Sequence, residues 1–513
     1  MNEKSFDLVV IGTGPSGVAA AREACIQGLR VLIVDAGLRY SPADSVLNSR
    51  KEKYQLRQDF PTKKYFGSEF ATRKHPYSNI TLDQTVGCVP SAAVGGLSSI
   101  WGGCVIPLRE SDAKDWPYNY SELLAGYEKV FQYIPLSGAQ DWPSEFRPAG
   151  LYPQASPTDG TLRHFISQIG NRITSTFDFR FMESLLAVDN KSHSPTRCIQ
   201  CGKCLSGCEA NSIFRSSDII SSLQKLGARY ISGLYVTHLE EDGQGVRVVG
   251  SLGPRRVVIR CSRVAVAAGP ISSTALALSA LSVEVAELRD SQAFTLPMLV
   301  RRNLGSEIST MSLPTNFVEA ICRQTKKIVS HMQIYPHGQE MKLALDSLTG
   351  IKFFDRLVSK LAFPHAVVAH GFLDSSNSGR LQIRKLIQSA GDQIEFSVTG
   401  ISNPNSALVI KSIGRQLSIA LSRKGIVPLT QLAHLSKVGG SFHIGASFPV
   451  SRDTGEGKSD SFGRPYQLNR IHLVDASSMP SIPPHSPTLT AMAHAHILVG
   501  RIARGLTAGE LHR

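Results

Sequence analysis

The segment from residue 6 to residue 37 constrains the fold of this chain more than any other. Residues 7–11 are a short apolar run rich in β-branched side chains, which predicts a buried strand. A helix over 18–28 and a second buried strand over 30–34 are predicted next, and Asp35 ends that strand. Between the first strand and the helix lie three glycines with G-x-G-x-x-G spacing: Gly12, Gly14 and Gly17. This order of strand, turn, helix, strand and acid predicts a Rossmann-like unit.

Each part of this unit has a role in holding a dinucleotide. Gly12 permits the tight turn, Gly14 lets the backbone approach a pyrophosphate, and Gly17 lets helix and strand pack closely. The helix N-terminus offers free N–H groups and the positive end of its dipole to that pyrophosphate. An acid at the end of the second strand can bind the adenosine ribose, which a mere glycine-rich turn would not require. We therefore predict a dinucleotide site at Gly12, Thr13, Gly14, Pro15, Ser16, Gly17, Asp35 and Ala36.

Length and composition are those of a globular enzyme. The chain has 513 residues, which predicts two domains or one large domain with insertions. Apolar residues make up 42% and charged residues 19%, and no apolar run is long enough to span a bilayer. The first strand starts too early to leave room for a signal peptide, so we expect a cytoplasmic protein.

The net charge of +14 bears on the choice of partner. No basic run is interleaved with aromatic residues, so nucleic acid is not expected as a partner. The charge favours an anionic substrate or peripheral contact with an acidic membrane surface. A generally basic surface without a specific partner explains it equally well.

Four of the nine cysteines lie in one C-x2-C-x2-C-x3-C run: Cys198, Cys201, Cys204 and Cys208. In a reducing compartment such a run favours metal or redox chemistry over disulfides. The spacing is that of bacterial ferredoxins and predicts an iron–sulfur cluster. The cluster is completed by Cys208, is completed by a distant cysteine such as Cys104, or holds three irons. Four thiolates also suit a closed zinc site, and the absence of any metal is the third alternative.

A glycine-rich loop over residues 94–103 marks a second site. Its sequence, VGGLSSIWGG, predicts a loop whose backbone approaches a flat or charged group. The loop resembles the second flavin-contacting segment of the glucose-methanol-choline (GMC) oxidoreductases. The resemblance implies that these residues lie against the flavin of a bound FAD: Gly95, Gly96, Ser98, Trp101, Gly102 and Gly103. Some glucose dehydrogenases of this family carry an iron–sulfur cluster in an insertion comparable to the cysteine run.

The C-terminal segment resembles the closing block of the same family. The block S-F-H-I-G at 441–445 precedes an I-x-L-V-D-A-S strand end and a P-T-L-T helix start. The resemblance implies that His443 is the catalytic base. It also places Asp475 and Ala476 at the flavin ribityl chain and Pro487 and Thr488 at the pyrimidine edge.

The second catalytic group departs from the family pattern. The family usually has Asn or His immediately before the proline of N-P-x-L-T, and here that position is Ser486. His485 lies one residue earlier, so the second group is either Ser486 or His485. His494 and His496 on the following helix are predicted to be structural.

The resemblance also implies the fold class and the domain order. Residues 228–280 resemble the β-meander and closing strand of the family, with Val236 near the adenine and Gly269 at a turn. We expect an α/β fold, with a Rossmann-like FAD-binding domain that has a parallel sheet and β-meander. An α+β substrate domain with an antiparallel sheet completes it. The FAD domain would comprise 1–284 and 437–513, with insertions at 38–80 and 135–210, and the substrate domain 285–436.

Together these features predict an FAD-dependent oxidoreductase that acts on the CH–OH group of a sugar, sugar derivative or other alcohol. Flavin N5 would take the hydride and a histidine the proton. If the cluster is present, electrons would leave through it to an acceptor protein or a quinone. The alternatives are a non-catalytic flavin and iron–sulfur relay subunit, and a desaturase or ketone reductase on the same fold.

Overall fold

The computed structural model describes most of the chain: residues 6–42, 65–114, 116–138, 153–154, 162, 165–166, 168–304, 309–335, 359–387, 394–509 and 511. A short helix that the sequence suggests over 46–56 lies outside these residues.

The helices and strands of the described part are numbered in chain order. The α-helices are α1 (Pro15–Ile26), α2 (Tyr120–Phe131), α3 (Ile220–Lys225), α4 (Pro270–Ala280), α5 (Ser406–Leu421) and α6 (Thr488–Ala508). The strands are β1 (Leu8–Ile11), β2 (Val31–Asp35), β3 (Ile80–Leu82), β4 (Ser137–Gly138), β5 (Arg172–Ile173), β6 (Phe177–Glu183), β7 (Leu185–Leu186), β8 (Arg229–Ser232), β9 (Leu234–Asp242), β10 (Gly245–Leu252), β11 (Arg255–Cys261), β12 (Val264–Val266), β13 (Val285–Asp290), β14 (Ala293–Val300), β15 (Asn316–Cys322), β16 (Ile328–Tyr335), β17 (Ala366–Leu373), β18 (Arg380–Ile387), β19 (Ile394–Ile401), β20 (Ile426–Pro428), β21 (His434–Leu435), β22 (Ile444–Gly445) and β23 (Ile471–Leu473).

A five-stranded parallel sheet forms the floor of the molecule. Its order is β23-β12-β1-β2-β8, and every neighbouring pair is parallel. All residues of β1 and β2 are buried, as their continuous apolar runs predict for a sheet covered on both faces. Helices α1, α2 and α6 pack together on one face, and the antiparallel meander β9-β10-β11 follows β8. The predicted Rossmann-like architecture with a β-meander is confirmed.

An antiparallel sheet forms the roof. Its order is β20-β14-β17-β16-β15-β6-β5, with β21 beside β14. Helix α5 covers this sheet with residues spaced three or four apart on one face, Ile410, Ile413, Leu417 and Leu421. A mixed sheet, β22-β13-β18-β19-β3, is antiparallel except for the β19–β3 pair and joins the floor to the roof. The expected antiparallel sheet of a second domain is therefore present.

The sequence also predicts helices near 162–174 and over 211–226, and the structure differs from both predictions. A helix suggested near 162–174 has ended by residue 172, where β5 pairs with β6. A helix suggested over 211–226 starts only at the 3-10 turn Ser216–Ile219 and continues as α3. Strand β6 also belongs to the roof sheet, because it pairs with β15, although residues 135–210 were expected as an insertion in the FAD domain. The domain boundaries themselves stay a prediction.

None of the described helices has the length and hydropathy needed to cross a membrane.

Candidate active site

A cavity of about 430 Å³ lies between the floor and the roof, and we call it the main cavity. Three helix N-termini face it, at the starts of α1, α4 and α6, because their first residues line its wall. Unpaired N–H groups and aligned peptide dipoles make such termini favourable for negative charge. Of the described residues that line the main cavity, only Asp35 and Asp475 carry a carboxylate, and none is lysine or arginine.

The first glycine loop has the geometry that its sequence predicts. Gly12 has φ +103°, and a Cβ there would lie 2.3 Å from the Ala267 carbonyl oxygen. A Cβ at Gly17 would lie 2.1 Å from the Gly12 oxygen, so these two glycines are required by the protein itself. Gly14 has φ −61°, and a Cβ there would meet nothing within 4 Å. The space beside Gly14 is therefore part of the main cavity, where a pyrophosphate would lie.

Asp35 lies beside this loop, at the end where the adenosine ribose would bind. Its Oδ2 accepts a hydrogen bond from the Thr13 N–H at 3.2 Å, and its Oδ1 accepts one from the Gly37 N–H at 2.7 Å. Burial raises the pKa of the Asp35 carboxyl to about 6, although these hydrogen bonds oppose the rise. Thr13 Oγ1 also donates to Oδ2 at 2.5 Å, so both lone pairs of that oxygen are used. Oδ1 has one lone pair left and can accept a bond from a ribose hydroxyl.

The second glycine loop is fixed to the first. The Gly95 N–H donates to Thr13 Oγ1 at 2.9 Å, and a Cβ at Gly96 would lie 3.3 Å from the Gly14 Cα. Ser98 Oγ donates to the Gly95 oxygen at 2.6 Å, and Trp101 Nε1 donates to the Phe214 oxygen at 2.7 Å. The two loops therefore form one continuous wall of the main cavity.

Asp475 joins the turn before α4 to the end of β23. Its Oδ2 accepts hydrogen bonds from the Gly269 N–H at 3.0 Å and from Ser273 Oγ at 2.6 Å. Its Oδ1 accepts from the N–H and the hydroxyl of Ser477. Burial raises the pKa of Asp475. This carboxyl has at least four donors, so its first role is to hold the flavin-side turn in shape.

His443 lies in the wall of the main cavity, in a loop held by a buried acid. Asp290 accepts hydrogen bonds from the Gly439 N–H and from Ser441 Oγ, each at 2.7 Å, and Ser441 Oγ accepts the His443 N–H at 2.9 Å. The His443 ring stacks on Phe372 at 4.2 Å between centroids, and Nδ1 has no partner within the described structure. Burial, with a smaller effect of His370, lowers the pKa of His443 to about 3, so the imidazole is neutral at pH 7.

The neighbouring residues Ser486 and His485 point to different places. Ser486 lines the main cavity and accepts a hydrogen bond from Gln333 Nε2 at 3.1 Å. His485 is absent from the described lining, and its Nε2 donates to Glu319 Oε1 at 2.8 Å behind the wall. Arg109 bonds the other oxygen of Glu319 at 3.4 Å. Burial alone would raise the pKa of Glu319, but the bond with His485 and the positive charges nearby lower it.

The roof contributes a row of polar side chains that sequence analysis did not identify. Thr295, His370 and Gln333 are register partners on the adjacent strands β14, β17 and β16, and His434 on β21 pairs with Thr295. All four line the main cavity. Neighbouring strands lie about 4.8 Å apart, so the row presents polar groups at that spacing. Burial lowers the pKa of His370 to about 4. Strand pairing alone brings these residues together, and no motif in the sequence marks them.

Most of the predicted site residues line the main cavity: Gly12, Thr13, Gly14, Pro15, Ser16, Asp35, Gly96, Ser98, Trp101, Gly102, Gly269, Asp475, Ala476, Pro487, Thr488, His443 and Ser486. Gly17, Ala36 and Gly95 are not in the described lining. Val236 is on β9, packs against a hydrophobic core, and is not in the described lining. The structure thus brings together the flavin-loop residues and His443, and it leaves the assignment of Val236 without support.

The four clustered cysteines lie on one loop beside the second glycine loop. Cys204 and Cys208 line a small cavity together with Ser98, Ile100 and Trp101, which also line the main cavity. Within the described structure, no three of the four thiols come within 4.8 Å of one another. Cys204 Sγ lies 3.5 Å from Met311 Sδ, and Cys201 is exposed. Cys104 lines the main cavity and not this small one. The thiols in this arrangement are not set for a cluster, so the metal site stays a prediction.

Comparison with known proteins supports the fold. No protein-family model and no curated protein matches the sequence. A pyridoxine 4-oxidase from Mesorbium loti is similar in structure with a TM-score of 0.57 at 14% identity, covering 98% of this chain and 99% of that one. A formate oxidase is similar with a TM-score of 0.64 at 12% identity, with both chains fully covered.

A third similar structure is a formate oxidase of Aspergillus oryzae RIB40 that was studied for FAD modification. Its TM-score is 0.61 at 12% identity, again with full coverage of both chains. At these identities the similarity establishes the fold alone, which this chain shares with the pyridoxine 4-oxidase and the formate oxidases.

Proposed function

We propose that this protein is an FAD-dependent oxidoreductase that oxidises a CH–OH group to a carbonyl, with His443 as the base. The observation that carries the proposal is that one cavity contains both the complete dinucleotide wall and an unpartnered, neutral imidazole. The glycine loop, Asp35 and three helix N-termini fit the diphosphate, the ribose and an electron-rich flavin. Bound FAD would supply the hydride acceptor.

His443 has the properties that removal of a hydroxyl proton requires. The lowered pKa leaves a lone pair on the imidazole at pH 7. The same burial opposes formation of the imidazolium, so the hydroxyl proton would move to the imidazole as the hydride leaves the carbon that bears the hydroxyl. Stacking on Phe372 and the bonds through Ser441 to Asp290 keep the ring in place. We assign Ser486 as the group that orients the same hydroxyl, because it faces the cavity and His485 does not.

The substrate class follows from what lines the cavity. The absence of lysine and arginine from its described lining disfavours a carboxylate or phosphate substrate. The polar row of Gln333, His370, Thr295 and His434 offers donors and acceptors at the spacing of strands, which suits a molecule with several hydroxyls. We therefore propose a neutral polyol, sugar or sugar derivative. A pyridoxine oxidase among the similar structures keeps hydroxymethyl aromatics in the panel to be tested.

The test is anaerobic reduction of the FAD-loaded protein by a panel of neutral sugars, polyols and primary alcohols. Positioned proton transfer contributes about 10²–10⁴-fold, so His443→Ala should slow flavin reduction by that factor with FAD still bound. His193→Ala, at an exposed site, is the matched control and should reduce at the parent rate. No bleaching by any substrate would instead support a relay subunit, and a full rate in His443→Ala would reject the assigned base.

The cysteine loop supports a separate proposal, in which a metal centre receives electrons from the flavin. Its support is the ferredoxin spacing and the shared wall of Ser98, Ile100 and Trp101 between the two cavities. Metal analysis of anaerobically purified protein decides between the alternatives. Iron with labile sulfide indicates a cluster, stoichiometric zinc a structural site, and neither metal a loop that only packs. A cluster would favour an acceptor protein or quinone over oxygen.

A further inference from the structure

The outer face of helix α5 carries exposed aliphatic and cationic side chains together. On the helix, Leu408 and Ile419 are 63% and 59% exposed, and Lys411 and Arg415 are exposed between them. These four positions lie within about one third of the helix circumference, since residues three, four and seven apart share a face. The opposite face of α5 is buried against the roof sheet. We call this outer face the basic aliphatic face.

The sheet edge beside α5 also has exposed aliphatic side chains, but these do not extend the face. Val427 on β20 is 56% exposed and is the register partner of Leu299 on β14, which is 36% exposed. The exposed residue Arg301 follows Leu299, and its N–H donates to the Gly425 oxygen at 2.7 Å. Gly425 comes directly after the exposed Lys424 at the end of the α5 segment. Met298, Val300 and Ile426 pack with α5 in one core cluster, and successive side chains of a strand point to opposite faces. Leu299 and Val427 therefore lie on the face of the sheet away from α5, and the basic aliphatic face consists of α5 residues alone.

The chain segment that contains α5 and β20 has cationic side chains and no acidic ones. Residues 396–452 contain no aspartate or glutamate, whereas the same 57 residues contain six lysines and arginines. The chain as a whole has 41 acidic residues, so an acid-free run of this length is far from its average composition. The face therefore has no carboxylate of its own helix or of the β20 segment to balance its cations.

We propose that the basic aliphatic face docks the protein onto a lipid bilayer that contains anionic headgroups. An interfacial helix of this kind has a basic polar flank and large aliphatic side chains that enter the boundary between headgroups and acyl chains. Cations near the surface add attraction to anionic lipid that falls off within a Debye length. The apolar contribution comes from Leu408 and Ile419, and the electrostatic one comes from Lys411 and Arg415. All four lie on the same face of α5. Exposed leucine and isoleucine side chains have no favourable role in a purely electrostatic contact with an acidic protein, so the lipid surface fits better.

The test is co-sedimentation of the full chain with vesicles of phosphatidylcholine, with and without phosphatidylglycerol, at low and high salt. We expect binding to the anionic vesicles that high salt weakens, and little binding to the neutral ones. Lys411→Glu with Arg415→Glu should lower the partition coefficient at least about tenfold. Leu408→Ser with Ile419→Ser should lower it while leaving the net charge unchanged.

Matched controls come from the hairpin of β10 and β11. Arg255→Glu with Arg256→Glu makes the same change in net charge at exposed positions, and Leu252→Ser with Val258→Ser removes two aliphatic side chains that are 39% and 44% exposed. Both should bind vesicles within about twofold of the parent. Equal losses in the control and the helix variants would show that only overall charge matters and would overturn the proposal. Absence of binding to anionic vesicles would also overturn it and would point to an acidic protein surface instead.

Discussion

The substitution Gly14→Ala separates binding of the cofactor from stability of the fold. Gly14 has φ −61° and ψ 175°, which alanine adopts without strain, and a Cβ there meets no protein atom within 4 Å. The variant should therefore be as stable as the parent, or more stable by about 0.4–1 kcal/mol, because alanine restricts the unfolded chain. The new methyl group points into the space proposed for the pyrophosphate.

The expected loss is in cofactor affinity. Removing the close approach of backbone and pyrophosphate should weaken FAD binding at least about tenfold, or about 1.4 kcal/mol. Gly12→Ala should behave differently, because φ is +103° and its Cβ would lie 2.3 Å from the Ala267 oxygen. We expect that variant to lose at least about 1–3 kcal/mol of stability from backbone strain alone.

The measurements are the FAD-to-protein ratio after purification, FAD titration of the stripped protein, and thermal unfolding of both forms. Gly243→Ala is the matched control, since it adds a methyl group in open space on the β9–β10 turn. If Gly14→Ala retains FAD with the affinity of the parent, the pyrophosphate does not lie beside Gly14 and the proposed cofactor pose is wrong. If Gly14→Ala instead unfolds, the space beside Gly14 is not open and the proposed pose is rejected as well.

Two further predictions concern the proton-handling residues. Ser441→Ala removes the link between Asp290 and the His443 backbone, so flavin reduction should slow about tenfold or more by misplacing the base. Ser459→Ala, which loses an equally buried bond from its Oγ to the Phe448 oxygen at 2.8 Å, should leave the rate unchanged, and similar rates in both variants would contradict the positioning role. Stability should also fall as the pH drops from about 6.5 to 4.5, because burial lowers the pKa of four histidines to about 3 or 4: His370, His443, His472 and His494. As the pH falls, these histidines are protonated first in the unfolded chain. Each one then lowers the free energy of unfolding by about 1.4 kcal/mol per pH unit. The raised pKa values of Asp290 and Asp35, about 7 and 6, oppose part of this slope. Urea unfolding at several pH values measures it, and a flat profile would contradict the buried, neutral histidines.

The parts of the site that the sequence predicts are local in the chain. The first glycine loop, Asp35 and the turn at Ser486 each lie within a few residues of a strand end or helix start. Their backbone geometry depends mainly on neighbouring residues, so spacing alone locates them. The fold class follows from the same strand and helix signals, and the similar structures agree with it.

The roof could not be predicted because its geometry depends on strand register. Gln333, His370 and Thr295 are separated by dozens of residues, and a shift of one residue in any strand would turn its side chain away. The different orientations of His485 and Ser486 could not be predicted for the same reason. Glu319 on β15 binds His485, and Ser486 is left facing the cavity. The assignment of Val236 stays a prediction, because a partly buried valine on a meander strand fits core packing as well as an adenine contact.

The order of strands in the floor sheet has a consequence for biogenesis. Strand β1 pairs with β12, and β23, near the end of the chain, completes the edge on that side. Helix α6 packs on α1, where His496 binds Glu23 at 3.0 Å across 473 positions of sequence. A nascent chain on the ribosome would therefore expose β1 and the Ala-rich face of α1 until nearly all of it had been synthesised. The cofactor site would then be complete only after residues 488–508 had been synthesised, so FAD would be bound late in the formation of the protein.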